Sequence, residues 1–187
     1  YDRDGKLLWR RTLGTFDTEL GLASSPVLDG DRVFLVCDHD GDRSTSFDSF
    51  LTALDAGTGK VCWKAERRGL GRSWSTPILV PGRAGRQELI VSGQDEVRAY
   101  DPGTGGLLWC GGRTTIWVAP SPVFAHGLVY VTSGKDGPTL ALRPGELKGA
   151  ARVAWRQPAG GPYVCSPVVY GGHLHVAHEA GSLTVYE

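Results

Sequence analysis

The sequence contains no methionine and no asparagine, and its 20 basic and 20 acidic residues cancel to a formal net charge of zero. Balanced charge gives no general attraction to nucleic acid or to an anionic membrane surface, and no nucleic-acid partner is expected. No apolar run approaches the roughly 20 residues of a membrane-crossing helix, so no membrane insertion is expected within this segment. Helix signals are missing as well: 27 glycines and 11 prolines punctuate the chain, and no apolar 3.6-residue period survives between them. The four cysteines, Cys37, Cys62, Cys110 and Cys165, form neither a C-x-x-C pair nor an adjacent pair. That excludes a zinc ribbon and indicates no disulfide framework, so the cysteines read as buried free thiols and leave the redox compartment open. Gly-x-Ser-x-Gly, His-Glu-x-x-His and P-loop signatures are all absent.

What is present is a repeat. Leu54-Asp55-Ala56-Gly57-Thr58-Gly59-Lys60-Val61-Cys62-Trp63 is nearly copied at Tyr100–Trp109, is shortened at Tyr1–Trp9, and is degraded in the copy ending at Trp155, where Arg143 holds the Asp position. The tryptophans are spaced 54, 46 and 46 residues apart. A second marker, Ser25-Pro26, Thr76-Pro77, Ser121-Pro122 and Ser166-Pro167, runs in phase, with proline spacings of 51, 45 and 45. A period of this length with about four strands per unit predicts an all-β propeller of four-stranded antiparallel blades. The blade units fall at approximately 1–23 (partial), 24–66, 75–110, 120–157 and 165–187 (partial), one propeller segment of about four blades over 1–187. In the first full unit the strands A to D are expected at Pro26–Leu28, Arg32–Asp38, Phe50–Asp55 and Lys60–Glu66. Strand B has almost unbroken apolar runs, as blades stacked on both faces require.

The Asp-x-x-Thr-Gly piece is read as the C–D hairpin turn. Its aspartate accepts hydrogen bonds from following backbone N–H groups, and Gly59 supplies a positive φ. The tryptophan four residues on is expected to cover a neighbouring blade. These residues, Ala53 to Trp63 and Ala99 to Trp109, with Ser/Thr-Pro between units, resemble the quinoprotein-type (PQQ-like) repeat and its tryptophan-docking motif. The resemblance implies a parent propeller of seven or eight blades and suggests a bacterial, periplasmic or extracytoplasmic location. Quinone dehydrogenases of that family resemble one another in a calcium-bound cofactor, an Asp base, Glu and Asn metal ligands and often an adjacent Cys-Cys pair. This chain offers neither asparagine nor a Cys-Cys pair. The expectation is therefore the non-catalytic, BamB-like branch: a scaffold for a protein or ligand, with no catalytic residue, cofactor or metal. The alternatives are a segment of a PQQ- and calcium-dependent dehydrogenase, or a sensor domain of a larger protein.

Because strand direction alternates within a blade, the D–A and B–C connections emerge on one face and the A–B and C–D turns on the other. The D–A connections place Trp74, Trp117 and Tyr163 on one rim with Arg67, Arg68, Arg72 and Arg113. Tryptophan, tyrosine and arginine dominate binding hot spots, so this rim is the expected contact surface for a protein or peptide. Gap-filling between blades is the competing reading. The long first connection, with Phe16, Leu20 and Leu22, packs on its own blade or forms an adhesive loop. Asp38, Asp40 and Asp42 alternate like the start of a calcium loop, but the glycine comes one place early and no glutamate follows. His173 and His175 share a strand face, which permits a metal with Glu179 nearby, although His175 aligns with Phe34 and Tyr130. The chain reads as a piece of a longer protein. Its free strand D, Lys6–Arg10, could also close a four-bladed ring by pairing with the last unit.

Overall fold

The computed structural model describes residues 1–16, 18, 20–40, 49–71, 73–145 and 152–187. Among these the chain forms four antiparallel sheets in sequence order. The first holds β1 (Val27–Asp29), β2 (Arg32–Cys37), β3 (Phe50–Asp55) and β4 (Val61–Glu66), and the second β5 (Ile78–Pro81), β6 (Gln87–Ser92), β7 (Glu96–Tyr100) and β8 (Leu107–Arg113). The third holds β9 (Val123–Ala125), β10 (Leu128–Thr132), β11 (Thr139–Arg143) and β12 (Arg152–Gln157), and the fourth β13 (Val168–Tyr170), β14 (His173–Ala177) and β15 (Leu183–Tyr186). Each sheet is a simple up-and-down meander, the blade of a β-propeller. Lys6–Arg10 joins no sheet, and β15 pairs with β14 alone, so the ring does not close within one chain among the described residues.

The core lies between sheets. Phe34, Val36, Leu51 and Ala53 of the first pack on Leu89, Val91 and Tyr100 of the second. Val80, Ile90, Val97, Ala99 and Trp109 of the second pack on Val129, Val131, Leu140 and Leu142 of the third. Tyr130 and Ala141 of the third meet Leu174 and Val176 of the fourth. The unbroken apolar runs of the middle strands follow from this, since both faces of a middle strand are covered.

The repeated turn explains its own sequence. Asp55 Oδ1 accepts from Thr58 N at 2.7 Å and from Thr58 Oγ1 at 2.5 Å, which holds its carboxyl below the usual range. Asp101 Oδ1 accepts from Gly103 N and Thr104 N in the same way. Gly59 and Gly105 have φ of +68° and +73°, and a Cβ at either would lie 2.5 Å from the ring of Trp9 or Trp63. The glycine thus turns the chain and also seats the tryptophan of the preceding outer strand. Trp9 Nε1 donates to Ala56 O at 2.8 Å, and Trp63 Nε1 donates to Pro102 O at 3.0 Å. A register shift between Ala53 and Leu54 leaves Cys62 as the extra residue beside Trp63. Cys62 is exposed and Cys110 and Cys165 are half-buried, contrary to the reading of buried thiols, whereas Cys37 is buried.

The Ser/Thr-Pro marker has a separate role. Ser25 N donates to Thr76 Oγ1, Thr76 N to Ser121 Oγ, and Ser121 N to Ser166 Oγ, each at 3.0 Å. Equivalent residues of successive blades are linked by one ladder that always runs in the same direction.

Candidate functional site

The four D–A connections meet in one apolar groove of about 220 Å³, lined by Leu20, Ala23, Trp74, Ala119, Tyr163 and Val164. Ala23, Trp74, Ala119 and Val164 occupy one repeat position, two residues before each Ser/Thr-Pro marker. The groove is therefore built by the repeat itself, with one residue from every connection. Trp74 is half-buried and its indole N–H donates to Gly21 O at 3.1 Å, so its polar edge is satisfied while the ring lines the groove. Trp117 is 38% exposed, with φ of +64°, and its ring lies 6.0 Å from that of Tyr163. The Tyr163 and Val164 N–H groups both donate to Glu179 Oε1, which fixes the last connection. Leu22 and Ile116, in the first and third of these connections, are exposed. Buried hydroxyls also occur at this end of the blades: Ser75 lies in a D–A connection, and Ser92, Thr132 and Thr139 lie at the strand ends that flank B–C connections.

The arginines divide. Arg67 is fully buried, so its guanidinium is not on the rim. It makes a bidentate pair with Asp38, Nε to Oδ1 at 2.8 Å and Nη2 to Oδ2 at 2.9 Å, and Nη1 donates to Tyr100 OH at 3.3 Å. A charge this deep needs such a partner. Asp38 is committed to that pair and is not a free calcium ligand. Asp42 and the rest of the loop over 41–48 lie outside the described residues, as does Arg72. Arg68 is exposed and pairs with Glu66 at 2.8 Å. Arg113 is exposed at the end of β8, and its carbonyl accepts from Arg156 Nη1. The structure thus brings Trp74 and Tyr163 into one groove, with Trp117 beside them, and does not bring Arg67. Sequence reading named Leu20 as part of a loop that packs on its own blade or is adhesive, and missed Ala23, Ala119 and Val164, although aligning the repeats on the proline marker would have exposed the shared position. Phe16 instead packs on His39 and Phe50.

On the opposite face, Glu88 occupies a cleft lined by Arg83, Ala84, Arg86, Gln87, Asp101, Leu108 and Trp109. Its Oε2 accepts from Trp109 Nε1 at 2.9 Å and its Oε1 from Gly145 N at 3.0 Å. A carboxylate here does what a turn carbonyl does for Trp9 and Trp63, because the third blade's turn has lost its aspartate to Arg143. The lengthened turn over 146–151 lies outside the described residues. Burial pushes the Glu88 carboxyl above its usual range, and the hydrogen bonds from Trp109 and Gly145 offset part of that. A raised folded-state value means that Glu88's contribution to stability is full below the ordinary value of 4.5 and is lost as pH rises through the raised one. Wild type should therefore lose melting temperature relative to Glu88→Gln as pH climbs from 4.5 toward neutrality. Parallel melting curves at several pH values check this, and a pH-independent difference would count against it.

His173 and His175 face each other at 6.4 Å, but each ring also contacts a backbone carbonyl, Gly171 O and Tyr170 O. Among the described residues no three His, Cys, Asp or Glu side chains are placed to hold a metal, and no helix is long and apolar enough to cross a membrane.

Residues 47–145 and 96–187 match the family profile described as outer membrane protein assembly factor BamB. A tetrathionate hydrolase from Acidithiobacillus ferrooxidans is 26% identical over 188 residues, which covers 95% of this chain and 36% of that protein. The chain thus spans about a third of that relative's length. The computationally designed Ika4 protein shares the fold, with a TM-score of 0.61 at 13% identity over 94% of this chain and 98% of its own. BamB from Moraxella catarrhalis aligns over 98% of this chain and 64% of its own, at 18% identity and a TM-score of 0.47. The chain belongs to the PQQ-like repeat family represented by outer membrane protein assembly factor BamB.

Proposed function

We propose that this propeller is a non-catalytic scaffold that binds an extended protein segment across the D–A rim. The observation that carries the reading is the groove: four connections contribute the same repeat position to one apolar surface, flanked by Trp74, Trp117 and Tyr163. Aromatic side chains supply large contact area at small entropic cost and anchor most interfaces. Membership of a family named for an assembly factor supports a protein as the partner. Arg68 and Arg113 are exposed where D–A connections begin, and charges in such places steer encounter more than they add affinity.

The test is selection of a displayed peptide library on the chain, followed by titration of a selected peptide. Trp74→Ala with Trp117→Ala is expected to weaken binding by about 2 kcal/mol or more, roughly 30-fold. Its melting temperature should move little, since neither ring is in the inter-blade core. Selected peptides that bind the double variant as tightly as wild type would sink the reading.

A second reading is that the chain is a segment of an enzyme, and the tetrathionate hydrolase relative supports it. Tetrathionate consumption by the chain, or saturable uptake of a quinone cofactor with calcium, would replace the scaffold reading.

A further inference from the structure

The second blade packs against a blade on either side, and its A–B turn forms one wall of the Glu88 cleft, on the face opposite the D–A groove. That turn is tight. Ala84 and Gly85 both have positive φ, +56° and +74°, and Arg86 N donates to Arg83 O at 3.2 Å. A two-residue turn of this kind sets the residues on either side of it next to each other. Those residues are Arg83 and Arg86. Both are exposed, and both line the cleft, whose volume is about 260 Å³. Like charges set opposite each other across a hairpin repel. Among the described residues no carboxylate pairs with either guanidinium.

The acids of the cleft are engaged elsewhere. One Glu88 oxygen accepts from Trp109 and the other from Gly145, and burial favours the uncharged carboxyl. Asp101 Oδ1 accepts from Gly103 N and Thr104 N. Arg32 of β2 lays its guanidinium on that same turn, with Nη1 donating to Pro102 O at 3.0 Å and to Gly103 O at 2.9 Å. A cation therefore already stands beside Asp101. The charges of Arg83 and Arg86 are left facing a cleft that also has an apolar wall, formed by Leu108 and Trp109.

We propose that this cleft binds a phosphate monoester carried on a small apolar body. A phosphate monoester bears close to two negative charges at neutral pH, and its oxygens match the planar donors of two guanidiniums. A carboxylate would leave one of the two cations unanswered. The apolar body lies against Leu108 and Trp109, as ligands do in pockets that combine apolar walls with a few placed polar groups. The bound phosphate also relieves the repulsion across the turn.

Titration of the 187-residue chain with phenyl phosphate tests this, followed through the Trp109 indole N–H resonance, which Trp109→Phe identifies by its loss. Saturable binding that shifts this resonance is expected, and inorganic phosphate should bind at least tenfold more weakly. Arg83→Gln with Arg86→Gln should weaken phenyl phosphate at least tenfold. Both side chains are exposed, so the circular dichroism should not change. Arg10→Gln with Arg11→Gln removes the same charge from another exposed pair and should leave the affinity as it was. Dihexanoyl phosphatidate separates a lipid source from a soluble one, and it should bind more weakly than phenyl phosphate because its two acyl chains exceed the cleft. Absence of saturable binding overturns the proposal, as does an equal loss from the two arginine pairs. Inorganic phosphate or phosphatidate binding as tightly as phenyl phosphate overturns the small apolar body.

Discussion

Arg67→Ala is expected to destabilise the chain by about 3–5 kcal/mol, because it strands the Asp38 carboxylate in a dry interior. Burial alone would disfavour the guanidinium's charge, but Asp38 and Tyr100 more than compensate and hold it protonated. The space around it is fitted to the charge: a Cβ on Gly93 would fall 2.8 Å from Nη2. The network ties the ends of β2 and β4 to the last residue of β7, so it joins the first two blades. Removing both charges together should be far milder. Arg67→Met with Asp38→Leu is expected to recover much of the single-variant loss, since a buried pair yields little net stability over apolar residues of similar volume. Urea unfolding of Arg67→Met, Asp38→Leu and the double variant completes the cycle. A double variant as unstable as the sum of the singles would show that the two side chains act independently.

Trp109→Ala should cost a similar amount, about 3–5 kcal/mol. Trp109 is 1% exposed within the largest inter-blade cluster, and its loss leaves both a cavity and an orphaned Glu88 oxygen. Trp109→Phe keeps most of the ring area but loses the N–H, so roughly 1–3 kcal/mol should remain lost. Trp63 is only partly buried and donates to a neutral carbonyl that water can also reach, so Trp63→Ala should cost less than Trp109→Ala. Thermal melts of the three variants beside the rim double variant rank these positions. Equal losses from Trp109→Ala and the rim pair would erase the distinction between docked and rim tryptophans.

The propeller was legible because its determinants are local. The aspartate, glycine and tryptophan of each turn lie within nine residues, and the same contacts recur at one period. Trp74, Trp117 and Tyr163 were legible as rim residues for the same reason, since strand alternation alone places the D–A connections together. Arg67 was not. Its partner lies 29 residues away in a stretch that reads as solvated and acidic, and nothing local separates a buried arginine from its exposed neighbour Arg68. Glu88 was hidden in the same way. It opens an apolar strand, and its purpose depends on the degraded turn near Gly145, 57 residues further on. The small residues of the groove escaped because alanine carries no chemical signal, only a place in the repeat.

The serine and threonine ladder works like the hoop on a cask. Each link spans equivalent positions at the same 3.0 Å, although the chain between markers runs 51, 45 and 45 residues. Girth is therefore specified at a single residue per blade, independently of how much polypeptide lies between. Lengthened connections such as Arg11–Ser24 and the A–B loop at Pro81–Gln87 can grow outward without stretching the circumference. A lineage built on this hoop is free to rewrite the faces of its blades while the staves stay in place.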